Sequence, residues 1–530
     1  MKYLKKYWFI LVVLLISLIR FILSFKLPSF YLINLKYDDN LVKMMYESII
    51  DGRYLGGYSL FTLIKGNIYS FVLYYASLLK MSYSSFLTIL YILSNLYLLS
   101  SLRNIIKNKY FLLFIYIVLL FNPVTYSGEL FQRLYINSIS IIELILFVAT
   151  MINIVATKEE DYINYVILGT ISGLMILTRN DNIWIYIVIV LLAIYKLKEK
   201  FSYKRLIGVS IPLGVILLLL NIVSFVNYKY YGIYTYSEVE NSYFTEAYNK
   251  VLQIKDDERI SKVAIPRSTF YKLAEVSDVF EYTKEEIDRS YTKALRGPGE
   301  EIDNGDIMWF FRSILYKKYD FKDGKEANEY FYELSKDIDR LFKEGKLEKE
   351  VSVPIVYINM PTKKEILELP GSLVKVIGYT SSYKNVKTYS KKDLLKLDNS
   401  NYDDNYKAYV VYYNDYRYAE KMIDHNPLGY EIIRVIYKYF TIIFSFISLF
   451  IYIKNIKKKD NLNMIIHIIL LVYIIVLCGV VYTNVTAFFA IRYRYLANVY
   501  ILQSLFILLN MNRLIKKTGD EDDISSNTCL

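Results

Sequence analysis

The chain has 530 residues, 54% of them hydrophobic, a formal net charge of +12 and two cysteines. Long apolar runs separated by short charged loops exclude a soluble enzyme and describe an integral membrane protein. Cys478 inside an apolar run and Cys529 near the end give no disulfide framework, and the basic residues gather beside the apolar runs, where they set topology rather than bind nucleic acid.

The first apolar run, 8–25, follows Lys2, Lys5 and Lys6 and lacks a small-residue cleavage site, so it reads as a signal anchor with a cytoplasmic N-terminus. Asp38 and Asp39 stand a few residues beyond its outer end. Two like charges at a lipid boundary add nothing to packing; they point to a general base, a divalent-metal site or a cation-binding surface. The stretch 57–81 is read as lying on the outer face or dipping into it, because a crossing there would place Arg103, Lys107 and Lys109 outside and invert every later loop. Runs at 84–102, 110–122, 137–156, 162–178, 182–195, 206–228, 433–453, 463–483 and 491–511 complete ten predicted spans, with both termini cytoplasmic.

The expected fold is therefore an α-helical polytopic membrane protein with an extracytoplasmic mixed α/β domain. Residues 1–228 form an N-terminal membrane module whose external loop, 26–83, carries the acidic pair. Residues 229–432 are polar and long enough for a core of their own. Residues 433–512 return to the membrane, and 513–530 are a cytoplasmic tail. Within the polar segment, Ala327, Tyr330, Phe331, Leu334, Ile338, Leu341 and Phe342 give 324–350 a helical period, whereas 351–360, 373–379 and 406–413 are rich in β-branched and aromatic residues and are predicted as strands.

Several motifs fall at the outer ends of successive runs: Tyr37-Asp38-Asp39, then Tyr46-Glu47, Asp51-Gly52 and Leu55-Gly56-Gly57-Tyr58, then Thr62-Leu63-Ile64-Lys65-Gly66. Further along come Phe121-Asn122-Pro123 with Glu129 and Arg133, Thr178-Arg179-Asn180-Asp181 with Trp184, and Arg492-Tyr493-Arg494-Tyr495-Leu496. In order and placement this series resembles the GT-C glycosyltransferases, which include protein O-mannosyltransferases and lipid A aminoarabinose transferases. The segment from Ile307-Met308-Trp309 through Lys346 also looks like the external domain of bacterial proteins of this type.

The resemblance implies a membrane glycosyltransferase that moves a sugar from a polyprenyl-phosphate donor to an extracytoplasmic acceptor: a cell-envelope glycan, a lipid or a protein. Asp38 matches the family's catalytic acid position, and Asp39 stands where the family often has Glu, to orient the acceptor or raise the basicity of its neighbour. Lys65, Arg179, Arg492 and Arg494 would converge on the lipid phosphate, which arginine grips bidentately. Arg492 and Arg494 stand on the outer side against the positive-inside bias, which marks them further as ligands rather than anchors. Glu129 and Arg133 would position the acceptor or a divalent metal. His425 and His467 are too far apart and too few for a histidine metal site, and the sequence names no metal. Two other readings are a transporter or flippase of lipid-linked glycan and an inactive relative that binds cell-wall polymer. A transport path would place ionisable residues deep in the spans, whereas here they collect at one face.

Overall fold

A computed structural model of the chain describes residues 2–32, 38–157, 160–294, 300–350, 361–390, 393, 408–409, 428–487 and 490–526. The N-terminal part runs α1 (Lys2–Ser24), β1 (Tyr31–Leu32), α2 (Asp38–Ile50), α3 (Ile68–Leu78), α4 (Tyr83–Leu102), α5 (Lys109–Leu120), α6 (Asn137–Ala156), α7 (Tyr162–Thr178), α8 (Trp184–Glu199) and α9 (Tyr203–Tyr231). Local sequence sets these boundaries. Ser82, Asn108, Asp161 and Ser202 each accept a backbone N–H as N-caps of α4, α5, α7 and α9, and Gly232 ends α9 at φ 77°.

Among the described residues seven helices are long and apolar enough to cross a membrane: the stretches Tyr7–Ser24, Tyr83–Leu102, Asn137–Ala156, Asn180–Glu199, Tyr203–Tyr231, Gly429–Asn455 and Asn461–Thr486. The ten predicted runs are all helical over most of their length, but three are not among these seven: the last, 491–511, which turns helical only at Ala497, and two that fall short of a bilayer. α5 has 12 residues, about 18 Å at 1.5 Å per residue, and α7 has 17, about 25 Å, against a hydrocarbon core of about 30 Å. The sequence stops both helices, α5 at Asn122-Pro123 and α7 at Arg179. The ambiguous stretch 57–81 holds only α3, 11 residues and about 16 Å long, too short to cross.

Burial separates centre from periphery. The Asn137–Ala156 stretch of α6 is 83% buried, whereas Tyr7–Ser24 and Tyr203–Tyr231 are each 28% buried, so α1 and α9 turn most of their apolar surface outward. Leu217, Leu218, Phe225, Phe446 and Phe450 are exposed, an apolar surface that suits lipid and not water.

Five helices, α10 (Tyr243–Leu252), α11 (Arg267–Val276), α12 (Lys284–Ala294), α13 (Ile307–Tyr319) and α14 (Gly324–Lys343), pack around Phe244, Tyr248, Phe270, Phe311, Phe331 and Leu334 as a second core. This helical unit is anchored to the 57–66 segment by buried Arg312, which donates to the carbonyl oxygens of Leu60 and Thr62 and to Glu238.

The expected α/β character is corrected where the structure describes it. Residues 373–379 are not a strand; they lie in α15 (Lys363–Ser381), which opens on a capping box of Thr362 and Glu365. Leu369, Leu373, Val376 and Thr380 fall on one helical stripe, and that period outweighs the β-branched content. α15 packs against the membrane bundle rather than the second core. The strand expected at 351–360 lies outside the described residues, as does most of 406–413, of which β2 (Ala408–Tyr409) pairs antiparallel with β1. Helices α16 (Leu428–Asn455), α17 (Asn461–Thr486) and α18 (Ala497–Ser526) complete the bundle, and the first half of α18 is buried within it.

Candidate functional site

The turns that follow α5 build the site. The Asn122 side chain accepts from Val124 N–H, Pro123 opens a 3-10 turn, and a π-turn over Gly128–Gln132 delivers Arg133. The Phe30 N–H donates to Gln132 O at 2.8 Å and Leu134 N–H donates to Phe30 O at 2.9 Å, which pins the segment before α2 beside Arg133. Asp39, in the first turn of α2, then meets the arginine squarely: Nε and Nη2 donate to its two carboxylate oxygens at 2.7 Å each. Both side chains are buried, so this is a bidentate pair withdrawn from solvent. Asp38 is the first residue of α2, and its side chain lies outside the described part of the structure.

Glu129 stands between two arginines, 3.7 Å from Arg133 Nη1 and 3.5 Å from Arg494 Nη1, and its backbone N–H donates to the Tyr493 hydroxyl at 2.9 Å. The ring of Tyr135 carries both guanidinium groups, that of Arg133 at 5.0 Å and that of Arg494 at 5.3 Å from its centroid. Arg494 is buried but poorly satisfied. Its contacts are the 3.5 Å approach to Glu129 and a 3.4 Å contact with the Tyr495 hydroxyl, and its Nε has no hydrogen-bond partner among the described residues. Good N–H···O bonds run from 2.7 to 3.2 Å, so this guanidinium retains donor capacity that the described residues do not use.

Asn137, at the start of α6, joins the second half of the site. Its Nδ2 donates to Arg494 O at 2.5 Å and its Oδ1 accepts from Arg179 Nη1 at 2.6 Å. Arg179, at the end of α7, also grips Asp181 through Nε at 2.9 Å and through Nη2. Lys65 lies 5.8 Å over the Trp309 ring, near enough for its charge to act on Asp181. Gly66 allows that approach: a Cβ there would fall 2.2 Å from the carbonyl oxygens of both Leu177 and Thr178. Gly66→Ala is accordingly expected to cost roughly 1–3 kcal/mol through forced backbone movement, read as a lower Tm of the detergent-solubilised chain. An unchanged Tm would mean that the turn relaxes freely.

The structure thus gathers Asp39, Glu129, Arg133, Arg179 and Arg494, with Lys65 at the Asp181 edge. Arg492 is set apart from Arg494, exposed where Arg494 is buried. Residues outside the sequence reading are Tyr135, Asn137, Glu143 and Glu240. Burial, and after it the Asp181 carboxylate, push Glu240 up to about 7, which lets it carry a proton at neutral pH. Among the described residues no group of three or more His, Cys, Asp or Glu side chains is placed to hold a metal ion.

A cavity of about 320 Å³ lined by Leu41, Met45, Glu47, Arg53, Phe61 and Leu63 opens beside α2. It is not the charged site. Val42 and Tyr46 follow Asp39 on the face packed into the bundle, whereas Leu41 and Met45 belong to the opposite face.

Comparison with protein-family models and with curated protein sequences gives no match. Among solved structures the chain is similar to ArnT from Cupriavidus metallidurans bound to undecaprenyl phosphate, at 12% identity and a TM-score of 0.32, over 97% of this chain and 79% of that one. It is similar to the apo state of the same protein at 11% identity and a TM-score of 0.32, over 96% and 77%. Superpositions this loose assign neither fold nor activity to the chain.

Proposed function

We propose that this membrane protein is an inverting glycosyltransferase that moves a sugar from a polyprenyl-phosphate donor to an extracytoplasmic acceptor glycan, lipid or protein. The observation that carries the reading is Arg494: a buried guanidinium with two long contacts and an Nε that no described residue accepts from, beside Arg133 and Arg179, is suited to a doubly charged phosphate. In this reading the first acidic residue of α2, Asp38, takes the proton of the acceptor hydroxyl. The hydroxyl oxygen bonds to the anomeric carbon on the face opposite the phosphate, and the old carbon–oxygen bond breaks with its electron pair leaving on the phosphate. Arg494, Arg179 and Lys65 stabilise that leaving charge, Arg492 guides the headgroup from the exposed side, and Asp39 and Glu129 hold Arg133 and Arg494 in place. The reading sets residues 229–432 and the site outside the cytoplasm of a plasma membrane, with both termini inside, so that donor and acceptor meet at the outer leaflet.

The test compares cell-envelope glycans from strains carrying the intact chain, no chain and Asp38→Asn. Loss of one sugar modification in the second and third strains, at equal membrane levels of the protein, is the expected result, since general-base removal typically costs about a hundredfold or more. Unchanged glycans in both would sink the reading. Lipid-linked glycan accumulating without a missing transfer step would favour transport instead.

A further inference from the structure

The cavity beside α2 lies outside the charged site and has a chemistry of its own. Its volume, about 320 Å³, suits a small ligand or the head of a larger one. Leu41, Met45, Leu55 and Leu63 give it a buried apolar floor, and Phe61 is half-buried in its wall. The charges at its rim are matched: Glu47 pairs with Lys43, and Arg53 pairs with Asp51 at 2.7 Å. Ser48, Ser59 and Thr62 add hydroxyl groups. The wall is held in shape. Leu63, and Tyr54 next to the lining Leu55, have φ of 58° and 54°, a left-handed conformation that such residues keep only where their surroundings hold it. Buried Arg312 supplies part of that hold through the carbonyl oxygens of Leu60 and Thr62.

We infer that this cavity is the acceptor site and that the acceptor is an uncharged, hydroxyl-bearing amphiphile, a neutral glycolipid. The inference rests on the glycosyltransferase reading and adds to it the chemical class of the acceptor. An anionic head would meet Glu47 and Asp51 and would have to draw Arg53 from its carboxylate; a cationic head would meet Lys43 and Arg53. Sugar hydroxyls carry no charge to desolvate. They can exchange hydrogen bonds with the serine and threonine hydroxyls, and a carboxylate in one ion pair still has lone pairs to accept from them. The apolar part of the ligand covers the leucine and methionine floor. Leu41 and Met45 stand three and seven residues after Asp38, the spacing of one helix stripe, so the floor begins about 4.5 Å of helical rise from the residue proposed as base. Anionic donor and neutral acceptor are thereby sorted by charge to the two sides of α2.

The test measures equilibrium binding of hexyl β-D-glucoside, hexyl phosphate and 1-hexanol to the full chain in lipid nanodiscs, with empty nanodiscs as the partition blank. The glucoside is expected to bind about tenfold or more tightly than hexyl phosphate, which brings an unmatched charge, or 1-hexanol, which forgoes the rim hydrogen bonds. Two variants plug the cavity. A Cβ on Gly57 meets nothing within 4 Å and its φ is not left-handed, so Gly57→Trp adds an indole without displacing packed atoms; Met44→Trp starts from a side chain 43% exposed. Each should weaken glucoside binding by about tenfold or more by filling the space. Each should also leave undecaprenyl phosphate binding unchanged and remove the envelope modification that depends on the intact chain. Equal binding of the three probes, tighter binding of hexyl phosphate, or unchanged glucoside binding in both variants would overturn the inference. So would variants that lose the glucoside and keep the modification, with the transferase reading left standing. If no modification depends on the chain, both fall.

Discussion

Replacement of Arg494 by Lys is expected to lower polyprenyl-phosphate-dependent transfer by roughly tenfold to a hundredfold, with the membrane level and Tm of the protein little changed. The magnitude follows from losing one or two hydrogen bonds to a charged group, each about 1.5–3 kcal/mol. Lysine keeps the positive charge but has no planar fork, so it cannot direct two parallel N–H groups at one phosphate. Folding should tolerate the change because the hydrogen-bond contacts are long, 3.5 and 3.4 Å, Nε has no partner among the described residues, and an ammonium can still lie over the Tyr135 and Tyr495 rings. Arg492→Lys is the internal control, since that side chain is exposed and an exposed headgroup anchor accepts either cation. Steady-state transfer with varied donor, measured for both variants, checks the assignment. Equal, near-wild-type kinetics would remove Arg494 from the donor site, and a larger loss from Arg492→Lys would reverse the order proposed for the two.

The second large effect concerns Asp39 and Arg133. Their side chains are 0% and 3% exposed and share two bonds of 2.7 Å, so Asp39→Asn removes the carboxylate that takes both bonds and leaves the buried guanidinium the longer, 3.7 Å approach of Glu129. Breaking such a pair from one side typically costs about 3–5 kcal/mol, which should appear as poor expression or a markedly lower Tm. Arg133→Gln should behave similarly, and the double variant Asp39→Asn with Arg133→Gln should be less damaged than the two losses added together. Additive losses would mean that the pair is not coupled. If instead Asp39→Asn folds like wild type and abolishes transfer, Asp39 acts in the chemistry rather than as the clamp on Arg133.

The contrast between these two arginines indicates how far a sequence can be read toward a site. The positions were legible, because charged residues at the ends of apolar runs are conspicuous: Asp39, Lys65, Glu129, Arg133, Arg179 and Arg494 all stand there. Their roles were not. Arg492 and Arg494 are two positions apart with identical chemistry, and only the turn before α18 buries one and exposes the other. Glu143 carried a local signal, a lone carboxylate within an apolar run, whereas its partner Thr178 lies 35 positions away, across a helix pair.

What the sequence determined by itself is what one segment encodes alone: the apolar runs that make the chain an α-helical membrane protein, the caps that start and stop helices, the period of α14, and a 57–81 stretch unsuited to crossing. The tertiary structure decided the rest. It converted residues 373–379 from an expected strand to a helix, because one stripe faces the bundle, with Val376 and Thr380 buried and Leu369 and Leu373 half-buried. It closed Asp39 onto Arg133 across 94 positions and brought Arg494 to Glu129 across 365. Which helix a segment forms depends on neighbours within a turn or two, whereas a guanidinium is satisfied or left with spare donors according to partners that only folding brings within 3 Å.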